Sequence, residues 1–501
     1  MSLRRCFNLS TRRVQVPFNN FKFVSLNQKK FAHELRASTF VGVQALLRRM
    51  FALFFVEGGI WVLWLLLNCI DLVLVALSKI LPKSPPPGKN LPRVVVVGAS
   101  FAGLGVVHEL AHHRDEVDVT LVDRKDFFEY VPGALRCLVE PAHLRRLSCP
   151  LAPAGAAFVR GEVVAVAHGD GEAGERTVRL KGGKGLDYDL LVLCSGSSYA
   201  APIRGVETTL DERRRNLEAA AATLKAAKTV VIMGAGAVGV ELAGEILTVY
   251  PQGKRVLLVD MATTILPGFH ARSVGYCKRW LEARGAELLL GAPLRHVAEK
   301  SITLHDGTEV PCDALYKCTG ARPNGDFLAG SALGDACAGP RGAVVVDDSL
   351  RCAPDVFAAG DLCYHAGSAE LKLGHTAEVN AHCVATNVLR LARAKAAQVA
   401  PPPLASYPRD VVGNSATPKI FNLSLGKYDA TLGFNDLVIH GPLAALVKWL
   451  LEWTKVAAAA DRPVGVAFWA FADFASNLLG RTLLPTVPPP ARGKRTSAVS
   501  L

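Results

Sequence analysis

Two stretches of the chain place small residues and one carboxylate where a dinucleotide could be held. In Arg93–Asp123, four consecutive valines lead into Gly98, Ser100 and Gly103, and the stretch ends at Asp123. A tight turn between a strand and a helix presents backbone N–H groups to a pyrophosphate, and an acid after the next strand can accept hydrogen bonds from a ribose. Ser100 replaces the usual second glycine, so the backbone must accept a small side chain beside the phosphate. Alone, this stretch is equally consistent with a βαβ crossover that binds nothing.

The second stretch, Thr229–Asp260, carries all three glycines of the pattern. Gly234, Gly236 and Gly239 follow a β-branched strand, and Asp260 ends the next strand. Two dinucleotide sites in one chain favour hydride transfer from a nicotinamide to a flavin. Because the Asp260 carboxylate should repel a 2′-phosphate, we predict NADH over NADPH as the nicotinamide cofactor.

Other residues extend the two sites. Glu241, early in the second helix, either contacts the nicotinamide or has a capping or solvent role, and Gly320 ends a strand that would close the second domain. Gly360 and Asp361 end a later short strand, before a helix-like stretch from about Thr376 to Leu391. An acid in this position can bind ribityl hydroxyls, and the helix N-terminus can bring positive potential to the flavin pyrimidine edge.

This order of elements predicts an α/β fold with two Rossmann-like dinucleotide-binding domains, the NAD(P)H domain inserted in the FAD domain, plus a C-terminal α+β region and an N-terminal membrane helix. The predicted segments are a basic targeting-like segment (1–49), a hydrophobic membrane helix (50–81), a Pro-rich linker (82–92), the first segment of the FAD-binding domain (93–225), the NAD(P)H-binding domain (226–342), the second segment of the FAD-binding domain (343–395) and a C-terminal region (396–501).

Composition excludes two broad classes. Half of the 501 residues are hydrophobic and a fifth are charged, which argues against a disordered chain. The net charge is +13, but residues 1–50 contribute ten basic side chains against one acid. A nucleic-acid footprint would be expected on the folded domains, so we predict no nucleic-acid partner.

The N-terminal segment is rich in Arg and hydroxyl residues and nearly free of acids, which is typical of an organellar transit peptide. A disordered basic arm is the alternative. We predict a membrane-associated, mitochondrial protein, with another organelle as the alternative location.

The hydrophobic segment that follows has a stretch, Gly58–Leu77, about as long as a membrane-crossing helix requires, with tryptophans suited to an interface. Glu57, Asn68 and Asp71 weaken this interpretation, so a monotopic or tilted helix remains the alternative to a spanning one.

Twelve cysteines are present without a C-x-x-C or C-x4-C pair, which argues against a flavin disulfide reductase. His and Cys residues do not follow zinc spacing, so no metal site is predicted.

With these motifs the chain resembles the two-dinucleotide flavoproteins of the pyridine-nucleotide oxidoreductase superfamily, and within it the ferroptosis-suppressor, or apoptosis-inducing-factor-like, flavoproteins. The resemblance runs from Arg93 to about Leu484 and is carried by VVVVGASFAG, LVDRKDFF, LVLCSGS, VVIMGAGAVGVELAGEI, YKCTG, DVFAAGD and SLGKYDATLG. It implies FAD-dependent reduction of quinones by NAD(P)H at a membrane. By position it implies FAD contacts at Gly98, Ser100, Gly103, Asp123, Lys125 and Asp361, and nicotinamide-cofactor contacts at Gly234, Gly236, Gly239 and Asp260.

One later segment is also similar to type II NADH dehydrogenases. The stretch GHTAEVNAHCVATN matches the segment that this family places near flavin and quinone, with Glu378 and His382 where the family favours glutamines. Hydride transfer needs stacking geometry more than an acid or base, so no catalytic side chain is required. The candidates are Lys125, to stabilise anionic reduced flavin, and Glu378 or His382, to pass a proton to quinone; packing or solvation is the alternative for each.

The expected partners are a membrane quinone, the lipid bilayer and a second copy in a homodimer. Two other functions remain open: an NADH-dependent ferredoxin-type reductase, and an apoptosis-inducing-factor-like protein in which NADH and FAD control oligomerisation or partner binding. The resemblance implies that residues 396–501 are the quinone- or membrane-proximal region. The apolar stretches in it that open at Pro442 and follow Pro463 are either core helices or helices at a membrane surface or quinone-access site.

Overall fold

The structure, a computed structural model, describes residues 54–77, 90–169, 174–337, 339–367, 372–407, 420–434 and 436–482. The predicted targeting segment 1–49 and most of the predicted linker lie outside these residues. The chain divides into the units Met1–Phe55 and Val56–Leu501. Of the first unit only Phe54 and Phe55 are described, and both are helical. All contacts reported below lie within the second unit.

The described α-helices are α1 Phe54–Leu77, α2 Phe101–Leu110, α3 Leu144–Leu147, α4 Leu210–Ala226, α5 Ala237–Val249, α6 Ala271–Glu282, α7 Gly374–Ala397, α8 Pro442–Ala459 and α9 Pro463–Thr482. The described strands are β1 Arg93–Val97, β2 Asp118–Asp123, β3 Phe127–Glu129, β4 Ser148–Pro150, β5 Ala157–Arg160, β6 Val163–His168, β7 Arg176–Leu180, β8 Gly185–Asp187, β9 Leu190–Leu193, β10 Ser197–Ser198, β11 Thr229–Met233, β12 Arg255–Asp260, β13 Ala286–Leu290, β14 Leu294–Val297, β15 Ser301–Leu304, β16 Glu309–Pro311, β17 Ala314–Lys317, β18 Arg322–Pro323, β19 Val344–Val346, β20 Arg351–Ala353, β21 Val356–Ala358, β22 Cys363–His365, β23 Ile420–Ser424, β24 Ala430–Phe434 and β25 Leu437–His440.

Two mainly parallel sheets form the centre of the fold. The first has the strand order β20-β21-β9-β1-β2-β5, with only the β20–β21 pair antiparallel. The second is entirely parallel, with the order β13-β12-β11-β17. The central strands β1 and β11 are runs of apolar residues because both faces of such sheets are covered.

The second sheet is inserted in the first. Its strands, from β11 to β17, lie in the chain between β9 and β20, which both belong to the first sheet. The antiparallel sheet β23-β24-β25 and helices α8 and α9 follow near the C-terminus. The predicted α/β fold class, with two Rossmann-like sheets and a mixed C-terminal region, is confirmed.

The apolar N-terminal helix is also present. Among the described residues, α1 alone is long and apolar enough to cross a membrane, and nearly all of its length lies outside the core. Helix α7 begins before the predicted Thr376 and continues past the predicted Leu391.

Candidate functional site

The first glycine turn joins β1 to α2 by close backbone approach. Gly98 has a φ of 105°, and a β-carbon added there would lie 2.2 Å from the carbonyl oxygen of Cys194. A β-carbon at Gly103 would lie 1.7 Å from the carbonyl oxygen of Gly98. Any larger residue at either position must move α2 or β9, so both glycines have the packing role that the motif predicts.

The second turn repeats this arrangement. A β-carbon at Gly234 would lie 2.6 Å from the Cys318 carbonyl oxygen, and one at Gly239 would lie 1.9 Å from the Gly234 carbonyl oxygen. At Gly236 an added β-carbon meets nothing within 4 Å. The turn is therefore packed tightly behind and open on the side where a pyrophosphate would approach the N-terminus of α5.

The two predicted ribose carboxylates are held by equivalent hydrogen bonds. Asp123 accepts from the backbone N–H groups of Ala99, at 2.7 Å, and Lys125, at 2.8 Å. Asp260 accepts in the same way from Ala235, at 2.6 Å, and Ala262, at 2.8 Å. A carboxylate has about four acceptor positions. Each acid is thus fixed beside its glycine turn and retains capacity for a ribose diol.

Ser100 is exposed at the start of α2. Its backbone is extended, and its side chain makes no capping hydrogen bond to the helix. The first N–H groups of a helix lack intrahelical acceptors. An anion that reaches this turn can therefore accept from both the backbone and the Ser100 hydroxyl.

The predicted Gly360–Asp361 turn lies against the first fingerprint. A β-carbon at Gly360 would lie 3.2 Å from that of Ala102 on α2, and the Gly360 N–H donates to Asn380 Oδ1 of α7 at 3.2 Å. Asp361 accepts a hydrogen bond from Ser197 Oγ at 2.6 Å. The structure thus brings together the first glycine turn, the start of α7 and the Asp361 carboxylate. These residues fit a flavin dinucleotide.

Lys125 lies in a buried charged cluster. Its ammonium is 3.9 Å from a carboxylate oxygen of Glu129, which also accepts from Arg213 Nη2 at 2.9 Å. Burial lowers the pKa of Lys125, while the carboxylates of Glu129 and Asp123 oppose this shift. The described ionic contact of the Lys125 ammonium is therefore to Glu129.

Glu241 is not exposed to solvent. Only 6% of the residue is exposed, and its Oε1 accepts from Lys448 Nζ at 2.9 Å and from Ser424 N at 2.8 Å. The solvent alternative for Glu241 is wrong, since the C-terminal region covers this side of α5. Gly320 has a φ of 101°, and a β-carbon there would lie 3.0 Å from Arg341 Nη1.

A cavity of about 410 Å³ lies between α2, α7, α8 and α9. Phe101, which follows Ser100, contributes to its wall and lies close to Gly374 at the start of α7. Its apolar lining is Phe101, Leu104, Gly105, Phe128, Val379, Val466, Trp469, Ala458, Ala459 and Ala470. Its polar lining is His108, Glu109, His112, His375, Glu378, His382, Lys455 and Asp473.

Glu378 forms an ion pair with Lys455 inside this lining. The Lys455 ammonium also lies 3.1 Å from the ring centroid of Trp469. Burial lowers the pKa of Lys455, and Glu378 opposes that shift. Burial raises the pKa of Asp473 and lowers that of His375. The cavity therefore combines apolar and aromatic walls with titratable groups whose pKa values are shifted by burial and by one another.

His382 lies at a more exposed position in the same lining. Its Nδ1 is 3.1 Å from Glu109 Oε1, and 46% of its side chain is exposed. The hydrogen bond with Glu109 raises the pKa of His382, although burial acts in the opposite direction. Both predicted α7 candidates thus line one cavity, each beside a partner of opposite charge.

Several cavity residues were missed in the sequence. Lys455, Trp469 and Asp473 come from two C-terminal helices and have no local motif. The one available signal was that the apolar stretches after Pro442 and Pro463 each contain isolated charges. Ser197 and Arg204, which contact Asp361, were also missed.

Two glycine-turn sites on two parallel sheets, one inserted in the other, define oxidoreductases that hold two dinucleotides. A family model for pyridine nucleotide-disulphide oxidoreductases matches residues 92–385. The chain belongs to this family, and it is therefore an NAD(P)H-dependent flavin oxidoreductase.

Individual relatives agree with this assignment. Ferroptosis suppressor protein 1 of Taeniopygia guttata is 29% identical over 370 residues, covering 71% of this chain and 92% of the relative. An NADH dehydrogenase-like protein of Mycobacterium tuberculosis is 31% identical over 309 residues, covering 54% and 72%. The sulfide:quinone oxidoreductase structure from Aquifex aeolicus has a TM-score of 0.58 and 16% identity, covering 77% of this chain and 92% of the other, which is a likeness of fold alone.

The family description includes disulphide chemistry, for which the sequence has no C-x-x-C or C-x4-C pair. The structure describes eleven cysteines, and eight of them are buried. Burial raises the pKa of Cys318, next to the second turn, to about 12. Such a thiol is a poor nucleophile near neutral pH. In the same segments, His, Cys, Asp and Glu do not form a group that could hold a metal ion.

Proposed function

We propose that this protein oxidises NADH and reduces a membrane quinone, with FAD as the resident cofactor. The observation that carries the proposal is the cavity between α2, α7, α8 and α9. It lies against the starts of α2 and α7, which are the helices beside the proposed flavin site. The resemblance to ferroptosis-suppressor flavoproteins supports the same reaction.

The cavity lining has an apolar part and a part with titratable groups, and this combination suits a quinone ring. Phe101, Phe128 and Trp469 provide apolar surface for a flat ring. Each quinone carbonyl oxygen takes up one proton when the ring receives two electrons. Asp473 and the Glu378–Lys455 pair lie in the lining and can hold protons for those oxygens.

FAD, when bound, accepts a hydride from the nicotinamide and returns two electrons to an acceptor. The residues of the chain bind and orient the two cofactors. We assign the FAD contacts to Gly98, Ser100, Gly103, Asp123, Lys125, Gly360 and Asp361.

We assign the nicotinamide cofactor to Gly234, Gly236, Gly239, Asp260 and Gly320. Glu241 would support the nicotinamide site from the interior of the protein, because its carboxylate is bonded to Lys448 and Ser424. The Asp260 carboxylate at the ribose position supports NADH over NADPH.

Stopped-flow spectroscopy tests the proposed reaction. We expect anaerobic NADH to bleach the flavin, and a ubiquinone or menaquinone analogue to reoxidise it much faster than ferredoxin or oxygen does. If ferredoxin is the efficient acceptor and quinones are not, the quinone assignment is wrong.

Neighbouring substitutions test the cavity. Ala470 lines it, whereas Phe471 is 68% exposed and does not. We expect Ala470→Trp to slow reoxidation by quinone at least tenfold while the flavin is reduced by NADH at an unchanged rate. Phe471→Trp is the matched control and should leave both steps unchanged. Equal quinone rates in the two variants would place the quinone elsewhere.

A further inference from the structure

The polar residues of helix α1 lie on one side. Glu57, Asn68 and Asp71 are separated by 11 and 3 positions, and at 3.6 residues per turn they fall within about a sixth of the helix circumference. An isolated carboxylate or amide in hydrocarbon is costly, so such side chains in an apolar helix require partners.

Each of these side chains is bonded to the folded body. Glu57 Oε1 lies 2.6 Å from Lys427 Nζ and accepts from the Tyr428 hydroxyl at 3.0 Å. Asp71 accepts from Arg462 Nε at 2.8 Å and from the Val464 N–H at 3.1 Å.

Between these attachments the helix packs on α8. Asn68 Oδ1 accepts from Arg462 Nη2 at 2.9 Å. A β-carbon added at Gly59 would lie 3.0 Å from Leu446 Cδ2, and Val56 is fully buried. Helix α1 is therefore attached near both of its ends to the C-terminal region. Near its start it is bonded to the segment between β23 and β24, and near its end to the segment where α8 ends and α9 begins.

The other side of α1 is apolar and exposed. Val62 is 58% exposed, Leu66 is 53% exposed and Val73 is 59% exposed, and at 3.6 residues per turn these three lie opposite the polar residues. On α9, Phe474 is also exposed, at 65%. Soluble monomers rarely leave a continuous apolar surface of this kind in water, so a lipid phase is the partner whose chemistry it fits.

The positions of the two attachments exclude an upright crossing with the body outside the membrane. Glu57 and Asp71 are 14 residues apart, or about 21 Å along the helix axis. The hydrocarbon core is about 30 Å thick. If α1 crossed it upright, the Lys427 and Arg462 ion pairs, and the body that carries them, would have to enter the hydrocarbon.

We propose that α1 is an in-plane membrane anchor that lies in one leaflet, with its polar stripe (Glu57, Asn68 and Asp71) bonded to the body and its opposite face in lipid. The exposed face of α9 enters the same leaflet. This inference depends on the attachments of α1 and not on the redox reaction.

Protease protection distinguishes an in-plane helix from a spanning one. The full chain, with one protease site inserted before residue 50 and another in linker 82–92, is bound to sealed phosphatidylcholine–phosphatidylethanolamine vesicles. We expect the protein to float with the vesicles and its flavin to be reduced by NADH added outside them. In these molecules we expect the protease to cut both sites without detergent. Protection of either site until detergent is added would overturn the proposal. The proposal would also be overturned if the protein did not float with the vesicles, for example because it forms a dimer that buries the apolar face of α1.

A variant without the polar stripe tests whether the stripe keeps α1 in the plane of the membrane. With Glu57→Leu, Asn68→Leu and Asp71→Leu combined, the helix loses its attachments and its polar side, so we expect one site to become protected. The matched control, Val62→Leu, Ile70→Leu and Val73→Leu, alters only exposed positions and should leave both sites open. Two open sites in the stripe variant would also overturn the proposal. Flavin reduction by NADH shows in each case that the body is folded.

Discussion

The ammonium of Lys448 on α8 lies 2.9 Å from a carboxylate oxygen of Glu241 on α5, and both groups are buried. Ser424 donates its backbone N–H to the same oxygen. The pair thus joins the helix of the second glycine turn to the C-terminal region. Because neither charge is solvated, each depends on the other for compensation.

Lys448→Met should therefore destabilise the protein strongly. It leaves the Glu241 carboxylate buried without its cation, and loss of one partner of a buried pair costs about 3–5 kcal/mol. We expect a lower urea midpoint for the transition that involves the C-terminal region. Adding Glu241→Gln should restore much of the loss, because the remaining amide is neutral. If Lys448→Met alone were as stable as the wild type, the Lys448–Glu241 pair would have to be solvated.

The apolar spacing in α8 did not predict which side of the helix is buried. Leu443 is half exposed, whereas Lys448 and Glu452 face inward. Glu452 pairs with His143 at 3.0 Å, as Lys448 does with Glu241. Hydrophobic periodicity assumes that charges face solvent. Buried pairs between distant segments violate that assumption and leave no local signal.

Two alanine substitutions should separate the dinucleotide sites. At Gly103 and Gly239 an added β-carbon overlaps the carbonyl oxygen of the preceding turn. We expect Gly103→Ala to lower the flavin content of the purified protein, measured by absorbance. Gly239→Ala should retain flavin and weaken NADH binding, measured by titration of flavin reduction.

Gly58→Ala is a suitable control for this pair, because an added β-carbon there meets nothing within 4 Å. It should change neither flavin content nor NADH affinity. If Gly103→Ala retained full flavin while Gly239→Ala lost it, the two cofactor assignments would have to be exchanged.

Ser100 provides an independent test of the flavin site. Its side chain is exposed at the start of α2, so Ser100→Trp should fold normally and occupy the space of the pyrophosphate. We expect a large loss of flavin, whereas Ser100→Gly, which restores the usual motif, should retain it. Undiminished flavin in Ser100→Trp would mean that the pyrophosphate binds elsewhere.

Asp260 should set the preference between nicotinamide cofactors. We expect a higher kcat/KM with NADH than with NADPH, and Asp260→Asn should narrow the ratio by removing the charge that repels a 2′-phosphate. The equivalent Asp123→Asn is the control: it should affect flavin retention and leave the NADH to NADPH ratio unchanged. Preference of the wild type for NADPH would contradict the assignment.

The glycine turns could be predicted from the sequence because strand, turn, helix and acid are consecutive in the chain. The hydrogen bonds of Asp123 and Asp260 confirm that each acid lies beside its own turn. The cavity was less accessible to sequence reasoning. Glu378 was a candidate because it lies in a recognisable segment, but Lys455 and Asp473 reach it from helices about 80 to 95 residues later in the chain. Such a site exists only after the helices pack.

Asp473 should make quinone reduction depend on pH. Burial, reinforced by Glu378, raises the pKa of Asp473, while Lys455 and His375 act against the shift. The acid is protonated below that pKa and able to donate, so the rate of flavin reoxidation by quinone should fall as pH rises through it. Flavin reduction by NADH needs no such donor and should not follow this profile. Stopped-flow measurements of each step, from the ordinary pKa of an aspartic acid, about 3.9, up to alkaline pH, separate the two.

Asp473→Asn should slow the quinone step at low pH and flatten its profile, because an amide cannot supply the proton. Asp326→Asn is the control, since Asp326 is exposed and pairs only with nearby Arg322 in the described contacts; it should keep the wild-type profile. A wild-type quinone step that is flat across this range, or a slope that survives in Asp473→Asn, would remove Asp473 from proton delivery. Proton delivery would then fall to the other predicted candidates in the cavity lining, Glu378 with its partner Lys455, and His382.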